Sequence, residues 1–194
     1  MITHDDWVSF NLNKKVDFDG VYGAQCADVV GQYALDVQGI KGIEGIIGAV
    51  DFFTKHESRP VQKKFYYAIK YQEGLITPRG AFVIWGTTKD NSFGHVAICD
   101  SASQSGLVVL EQDGFNNSTK NVKLGDSQGL KKRTYNYWNI LGWLTLKENR
   151  VMGKAPPSGA KIAKSDRQAQ IGEYWLNDKT NMWMILTKTG FNYL

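Results

Sequence analysis

The order of segments along the chain predicts an α+β fold, with N-terminal helices packed on an antiparallel β-sheet and a small β-hairpin element at the C-terminal end. Three observations carry this. Apolar residues recur at helical spacing only before residue 60. From residue 80 onward the pattern changes to short apolar runs separated by turn-rich pieces. A Pro-Pro-Ser-Gly segment at 156–159 then sets the end of the chain apart from the body.

The first predicted element is a short helix from Asp5 to Leu12. The second, over Ala24–Val37, is the most regular: Ala27, Val30, Ala34 and Val37 recur at spacing three or four, and Gly39 ends it. A further helix is expected over Ala49–His56. Strands follow at Ala81–Trp85, His95–Cys99 and Leu107–Glu111, then at Tyr137–Leu146 with a bulge expected at Gly142. The turn-rich pieces Thr88–Ser92 and Ser101–Gly106 make these strands antiparallel neighbours. Helices first and strands after is the α+β order. The predicted domain boundaries are 1–146 for the body, 147–160 for an extended linker and 161–194 for the small element. In that element Gly172–Leu176 and Met182–Leu186 flank the polar turn Asn177–Asn181. An isolated hairpin is marginal in water, so it must dock, dimerise or belong to a binding module.

Bulk properties narrow the function classes. With 42% apolar and 22% charged residues the chain is an ordinary globular one. No run approaches the roughly 20 apolar residues of a membrane span, and Met1–Trp7 has no basic start or apolar run of an export signal. The two cysteines do not make a disulfide framework. The net charge of +4 lies entirely in residues 147–194, since residues 1–146 hold 15 basic and 15 acidic side chains. A neutral body without a basic stripe argues against nucleic acid. The basic, aromatic tail points to an anionic partner.

The chemistry centres on Cys26, just inside the second predicted helix, where unpaired N–H groups and the helix dipole favour a thiolate. An imidazole beside it would complete a cysteine nucleophile and its base. His95 is the best candidate, because it opens an apolar strand after Gly94; His4 and His56 lie in polar surroundings. The third member should orient the imidazole. The next strand ends in Glu111-Gln112-Asp113, and on an adjacent antiparallel strand Glu111 reaches the far nitrogen of His95. Gln25 and the Cys26 backbone N–H are the candidate oxyanion donors. Cys99 reads as a buried, inert contrast.

Gln25-Cys26-Ala27-Asp28, Gly94-His95-Val96-Ala97-Ile98 and Leu110-Glu111-Gln112-Asp113, in this order across residues 10–146, resemble the CHAP domain (cysteine, histidine-dependent amidohydrolase/peptidase) of phage and bacterial peptidoglycan hydrolases. The resemblance implies a papain-like α+β fold that cleaves amide bonds in Gram-positive cell-wall peptides, with Cys26 as nucleophile, His95 as general base and Glu111 as its partner. Two positions depart from the family pattern: many relatives carry asparagine at Asp113, and Gly-Asp where this chain has Gly80-Ala81. An NlpC/P60-type peptidase is disfavoured, since those orient the base with a second histidine and none follows His95. The non-enzyme alternative is a calcium-stabilised wall-binding module with a vestigial site.

The carboxylates before Cys26 are spaced as metal ligands. Asp17, Asp19 and Asp28 occupy positions 1, 3 and 12 of an EF-hand-like loop, but Tyr22 replaces the required glycine and position 12 is not glutamate. The spacing is similar to the calcium loop beside the cysteine of some phage CHAP domains, which implies Asp17, Asp19, Asp28 and the carbonyls of Val21 and Gly23 as ligands of a structural calcium ion. The reading as a whole is a monomeric phage endolysin made in the host cytoplasm, reaching the wall through a holin-type pore. Peptidoglycan is its substrate, and anionic wall polymers meet its C-terminal element.

Overall fold

The computed structural model describes residues 2–43, 47–114 and 129–147, together with the backbone of 174–177, 182–187 and 190–193. The expected linker 147–160 lies, beyond Lys147, outside the described residues. Helix α1 (His4–Asn11) begins at Thr3, whose hydroxyl accepts the Asp6 N–H at 3.1 Å, with Asp5 and Asp6 in its first turn. Helix α2 runs from Cys26 to Asp36. The expected helix over Ala49–His56 is shorter and broken: α3 (Asp51–Thr54) gives way to a 3-10 turn at His56–Ser58. Helix α4 (Pro60–Phe65) follows, with proline at its start, where a missing N–H costs nothing.

Six strands form one antiparallel sheet: β1 (Tyr66–Lys70), β2 (Phe82–Trp85), β3 (His95–Ser103), β4 (Gly106–Glu111), β5 (Lys131–Tyr135) and β6 (Ile140–Leu146), in the spatial order β1-β6-β2-β3-β4-β5. β1 and β5 were not expected from the sequence. The β3–β4 hairpin is longer than predicted, with ladder pairs continuing to Ser103 and Gly106 past a bulge at Asp100. The bulge expected near Gly142 is present: Ile84 pairs with Gly142 and Trp85 with Ile140, so Leu141 is the extra residue.

Alternation along the central strands sends side chains into two layers. On the helix side Phe82, Ile84, Val96, Ile98 and Leu110 pack with Val29, Val30 and Tyr33 of α2 and with Trp7 of α1. The rings of Trp7 and Tyr33 meet edge-on at 5.1 Å, those of Tyr33 and Phe82 at 6.1 Å, and each such pair contributes about 0.5–1.5 kcal/mol beyond its burial. On the far side Val83, Trp85, Ala97, Cys99 and Val109 are covered by Tyr71, Tyr135 and Tyr137. Burial on both faces explains why β2 is one uninterrupted apolar run. Among the described residues no helix is long and apolar enough to cross a membrane.

The C-terminal element is a small antiparallel sheet, β7 (Tyr174–Asn177), β8 (Met182–Thr187) and β9 (Gly190–Tyr193), with β8 in the middle. The predicted hairpin is β7–β8, and β9 extends it by one strand.

Gly94 sets how the chain enters β3. Its φ is +71°, and a Cβ there would stand 2.5 Å from Val50 Cγ1 and 2.6 Å from the Trp85 carbonyl oxygen. The left-handed backbone and the close approach both require glycine. Gly94→Ala is therefore expected to lower the unfolding free energy by about 2–4 kcal/mol. Urea denaturation followed by tryptophan fluorescence measures it, and an unchanged midpoint would contradict this account of the turn.

Candidate active site

The start of α2 is fixed by its own first turn and by the loop before it. The Gln25 N–H donates to Asp28 Oδ2 at 2.7 Å, and the Phe18 N–H donates to Asp28 Oδ1 at 3.2 Å. Asp28 thus serves one orphan donor of the helix terminus, the Gln25 N–H, and through Phe18 ties the 17–25 loop to it. Burial raises the Asp28 carboxyl above its ordinary range; the Gln25 N–H opposes this and the charge of Asp19 adds to it. The loop also packs on α2 at Gly31, where a Cβ would lie 2.7 Å from the Phe18 ring. Cys26 is left at the first helical position, half-buried and unpaired in any disulfide.

His95, the first residue of β3, and Glu111, the last of β4, lie on neighbouring antiparallel strands, as the sequence required. His95 Nε2 is 2.6 Å from Glu111 Oε2, and both side chains are 1% exposed. The ring also hydrogen-bonds the Cys26 thiol, which leaves Nδ1 as the nitrogen for sulfur. Burial alone would lower the His95 pKa. The hydrogen bonds to Cys26 and Glu111 outweigh it and push the imidazole up to about 10. The Trp85 ring, 5.5 Å away, packs against the imidazole. A thiol, an imidazole and a carboxylate are therefore lined up in that order.

Cys26 opens into a cleft, with Gln25, Val21 and Tyr22 of the loop and Gly48, Phe93 and Gly94 among its lining residues. Asp113 lines the same cleft, in a left-handed conformation (φ +53°) that aspartate tolerates. Gln25, the residue before Cys26, lines the cleft beside it. His4 and His56 are buried, and polar partners hold their rings in structural hydrogen bonds. His4 bonds Tyr33 and Asp100 through its two nitrogens, and His56 bonds the Tyr66 carbonyl. Cys99 is buried and bonded to the Thr77 carbonyl at 3.6 Å, and burial raises its thiol pKa strongly.

Asp17, Asp19 and Asp28 each bring a carboxylate oxygen within 4.8 Å of the others. Asp17 and Asp19 turn the loop by accepting the Gly20 and Val21 N–H groups at 3.0 and 2.8 Å. Gly20, Tyr22 and Gly23 all have positive φ, which curls the backbone. Three convergent carboxylates at a curled loop fit a hard, oxygen-seeking cation such as calcium.

Four residues that sequence reasoning passed over complete the site. Gln112 is buried; it accepts the Val16 N–H at 3.0 Å and donates to the carbonyls of Val16 and Gln25, the latter at 2.7 Å. It thereby fastens the loop bearing Cys26 to the strand bearing Glu111. Tyr135 Oη donates to Glu111 Oε1 at 2.8 Å, and Arg133 Nε lies 3.0 Å from the same oxygen. A Cβ at Gly114 would stand 2.5–2.7 Å from the Glu111 carboxylate. The only sequence signal for any of these is the place of Gln112 inside Glu111-Gln112-Asp113.

A family model for the CHAP domain matches residues 15–113. Among curated proteins the chain is similar to endolysin PlyTW of Staphylococcus phage Twort (strain DSM 17442 / HER 48), with 24% identity over 204 positions covering 97% of this chain and 39% of that protein. The chain thus spans about two fifths of that relative's length. Among solved structures it is similar to the wild-type endolysin LysIME-EF1, with a TM-score of 0.51, 16% identity and coverage of 100% of this chain and 79% of that one. This likeness shows a common fold. The match over half of the sequence takes in Cys26, His95, Glu111 and the acidic loop, and by it the chain belongs to the CHAP domain family.

Proposed function

We propose that this chain is a phage endolysin that hydrolyses amide bonds in the peptides of Gram-positive peptidoglycan, as an endopeptidase or N-acetylmuramoyl-L-alanine amidase, by a Cys26–His95–Glu111 mechanism. The observation that carries the reading is His95, held between the Glu111 carboxylate and Cys26, which itself lines a cleft. The similarity to an endolysin supports the substrate class.

In this reading the proton shared with the Cys26 sulfur sits on His95 Nδ1, and the sulfur attacks the amide carbon, forming a C–S bond. The Cys26 N–H and Gln25 stabilise the oxyanion. The imidazolium returns its proton to the leaving nitrogen as the C–N bond breaks, giving a thioester and a free amine. Water, deprotonated by His95, then attacks the thioester, releasing the carboxylic acid and restoring the thiol. Glu111 keeps the ring oriented and stabilises its charged form throughout. Asp113 borders the substrate path.

Asp17, Asp19 and Asp28, with the carbonyls of Val21 and Gly23, would hold a calcium ion. The ion would supply positive charge that binds the three carboxylates together and stiffens the loop leading to Cys26. Residues 161–194 would form a separate wall-binding element after the 147–160 linker; the basic charge of the tail and its three-stranded sheet support this.

Cys26→Ala and His95→Ala are each expected to reduce clearing of purified Gram-positive walls by at least about 1,000-fold while preserving the circular dichroism spectrum. Substantial residual activity in either would overturn the mechanism. The pH behaviour follows from His95. Its folded-state pKa is raised, so the pairing stabilises the fold fully below about pH 6.5, the value for a free imidazole. That contribution is lost as the pH rises towards 10. Glu111→Gln is expected to move the His95 titration, followed by 15N NMR, to lower pH; an unmoved titration would remove Glu111 from its role. For the metal, calcium is expected to raise the melting temperature of the wild type and not that of Asp19→Ala. Equal melting temperatures in calcium and in chelator for the wild type would dismiss the ion.

A further inference from the structure

Glu111 is held more firmly than pairing with one imidazole requires. Its Oε2 meets His95 at 2.6 Å, while Oε1 meets both the Tyr135 hydroxyl at 2.8 Å and Arg133 Nε at 3.0 Å. Both donors come from β5, the edge strand, where alternate residues share a face. Arg133 pairs across the ladder with Val109 and Tyr135 with Leu107, so both side chains run along the sheet towards Glu111. The Trp85 ring packs tilted against His95 at 5.5 Å and edge-on to Tyr135 at 5.4 Å, so one indole contacts both residues. At Gly114 any side chain would displace the carboxylate.

A buried carboxylate with free rotation about its last torsion would present either oxygen, or swing towards water. Two donors on Oε1 remove that freedom. We propose that Arg133 and Tyr135 are positioning residues that lock Glu111 so that Oε2 faces His95 and holds Nδ1 towards Cys26. The proposal rests on the hydrolase reading above. The groups facing His95 are Cys26 from α2, Glu111 from β4 and Trp85 from β2; Arg133 and Tyr135 act on it through Glu111.

Two roles for β5 make opposite predictions. If Arg133 were only a competing cation, removing it would make the imidazolium easier to hold, and the His95 titration would move up. If the pair positions Glu111, removing it frees the carboxylate, His95 loses its partner, and the titration moves down. A role confined to packing would not move it.

The test is 15N NMR titration of His95, assigned against His95→Asn, together with the initial rate of clearing of purified Gram-positive walls between pH 5 and 10. Both are measured on the full chain. Arg133→Gln/Tyr135→Phe is expected to slow clearing by about 10- to 100-fold and to lower the His95 midpoint towards that of Glu111→Gln. In a Glu111→Gln background the same two substitutions should change the rate by less than about 2-fold, because their target is gone. Should the double variant fail to fold by circular dichroism, Tyr135→Phe alone decides, with a smaller shift in the same direction. A midpoint that stays or rises, or full additivity with Glu111→Gln, overturns the proposal. An active Cys26→Ala would sink the Cys26 mechanism of the proposed hydrolase instead and leave the titration result standing.

Discussion

His95 and Glu111 meet at 2.6 Å almost out of reach of solvent. A carboxylate and an imidazole buried together lose hydration on both sides, and their attraction offsets that loss only when the geometry is good and the remaining polar atoms are served. The sheet serves them. β3 and β4 bring the two residues to one end of adjacent strands, β5 supplies Tyr135 and Arg133 to the second carboxylate oxygen, and Trp85 of β2 closes the side. Breaking the pair from one side would strand a buried polar group, so the geometry is held by stability as well as by chemistry.

Cys26 reaches this pair from a different layer. Cys26 belongs to α2, which packs on the helix side of the sheet, and its position depends on how the preceding loop is anchored. Asp28 anchors that loop from the helix, Phe18 packs it against Gly31, and Gln112 binds it to the end of β4. Gln112 follows Glu111 directly, so the strand that carries the partner of His95 also holds the loop that leads to Cys26. Asp17 and Asp19 lie within this same loop and Asp28 in the first turn of α2, which is why a cation held by them would bear on Cys26.

Much of this was legible in the sequence, for identifiable reasons. Cys26 and His95 belong to rare residue types at the starts of well-patterned elements, and α2, β2, β3 and β4 are strongly apolar because they are central. β1 and β5 are the edges of the sheet. Lys131-Lys132-Arg133-Thr134-Tyr135 reads as a polar segment because an edge strand keeps charged side chains towards water, which also protects it from pairing with other chains. Missing β5 meant missing Arg133 and Tyr135, whose role exists only through the ladder with β4. Gln112 was visible as part of a motif, yet nothing local reveals that its amide reaches back to Val16 and Gln25, nearly ninety positions or more along the chain. His4 and His56 are the weaker candidates that the sequence indicated, but nothing local reveals that each is buried against distant partners, Tyr33 and Asp100 for one and the Tyr66 carbonyl for the other.

The central claim is that the sulfur of Cys26 forms the bond that breaks the wall. The two cysteines differ enough in burial for one to be blocked alone. The most direct measurement is mass spectrometry on the native protein after titration with iodoacetamide, mapping the modified peptide and the fragments it then releases from purified Gram-positive walls. The account predicts carbamidomethylation at Cys26 with Cys99 untouched, and loss of every fragment bearing a newly freed amine or carboxyl end. Undiminished release of those fragments by protein fully modified at Cys26 would contradict it.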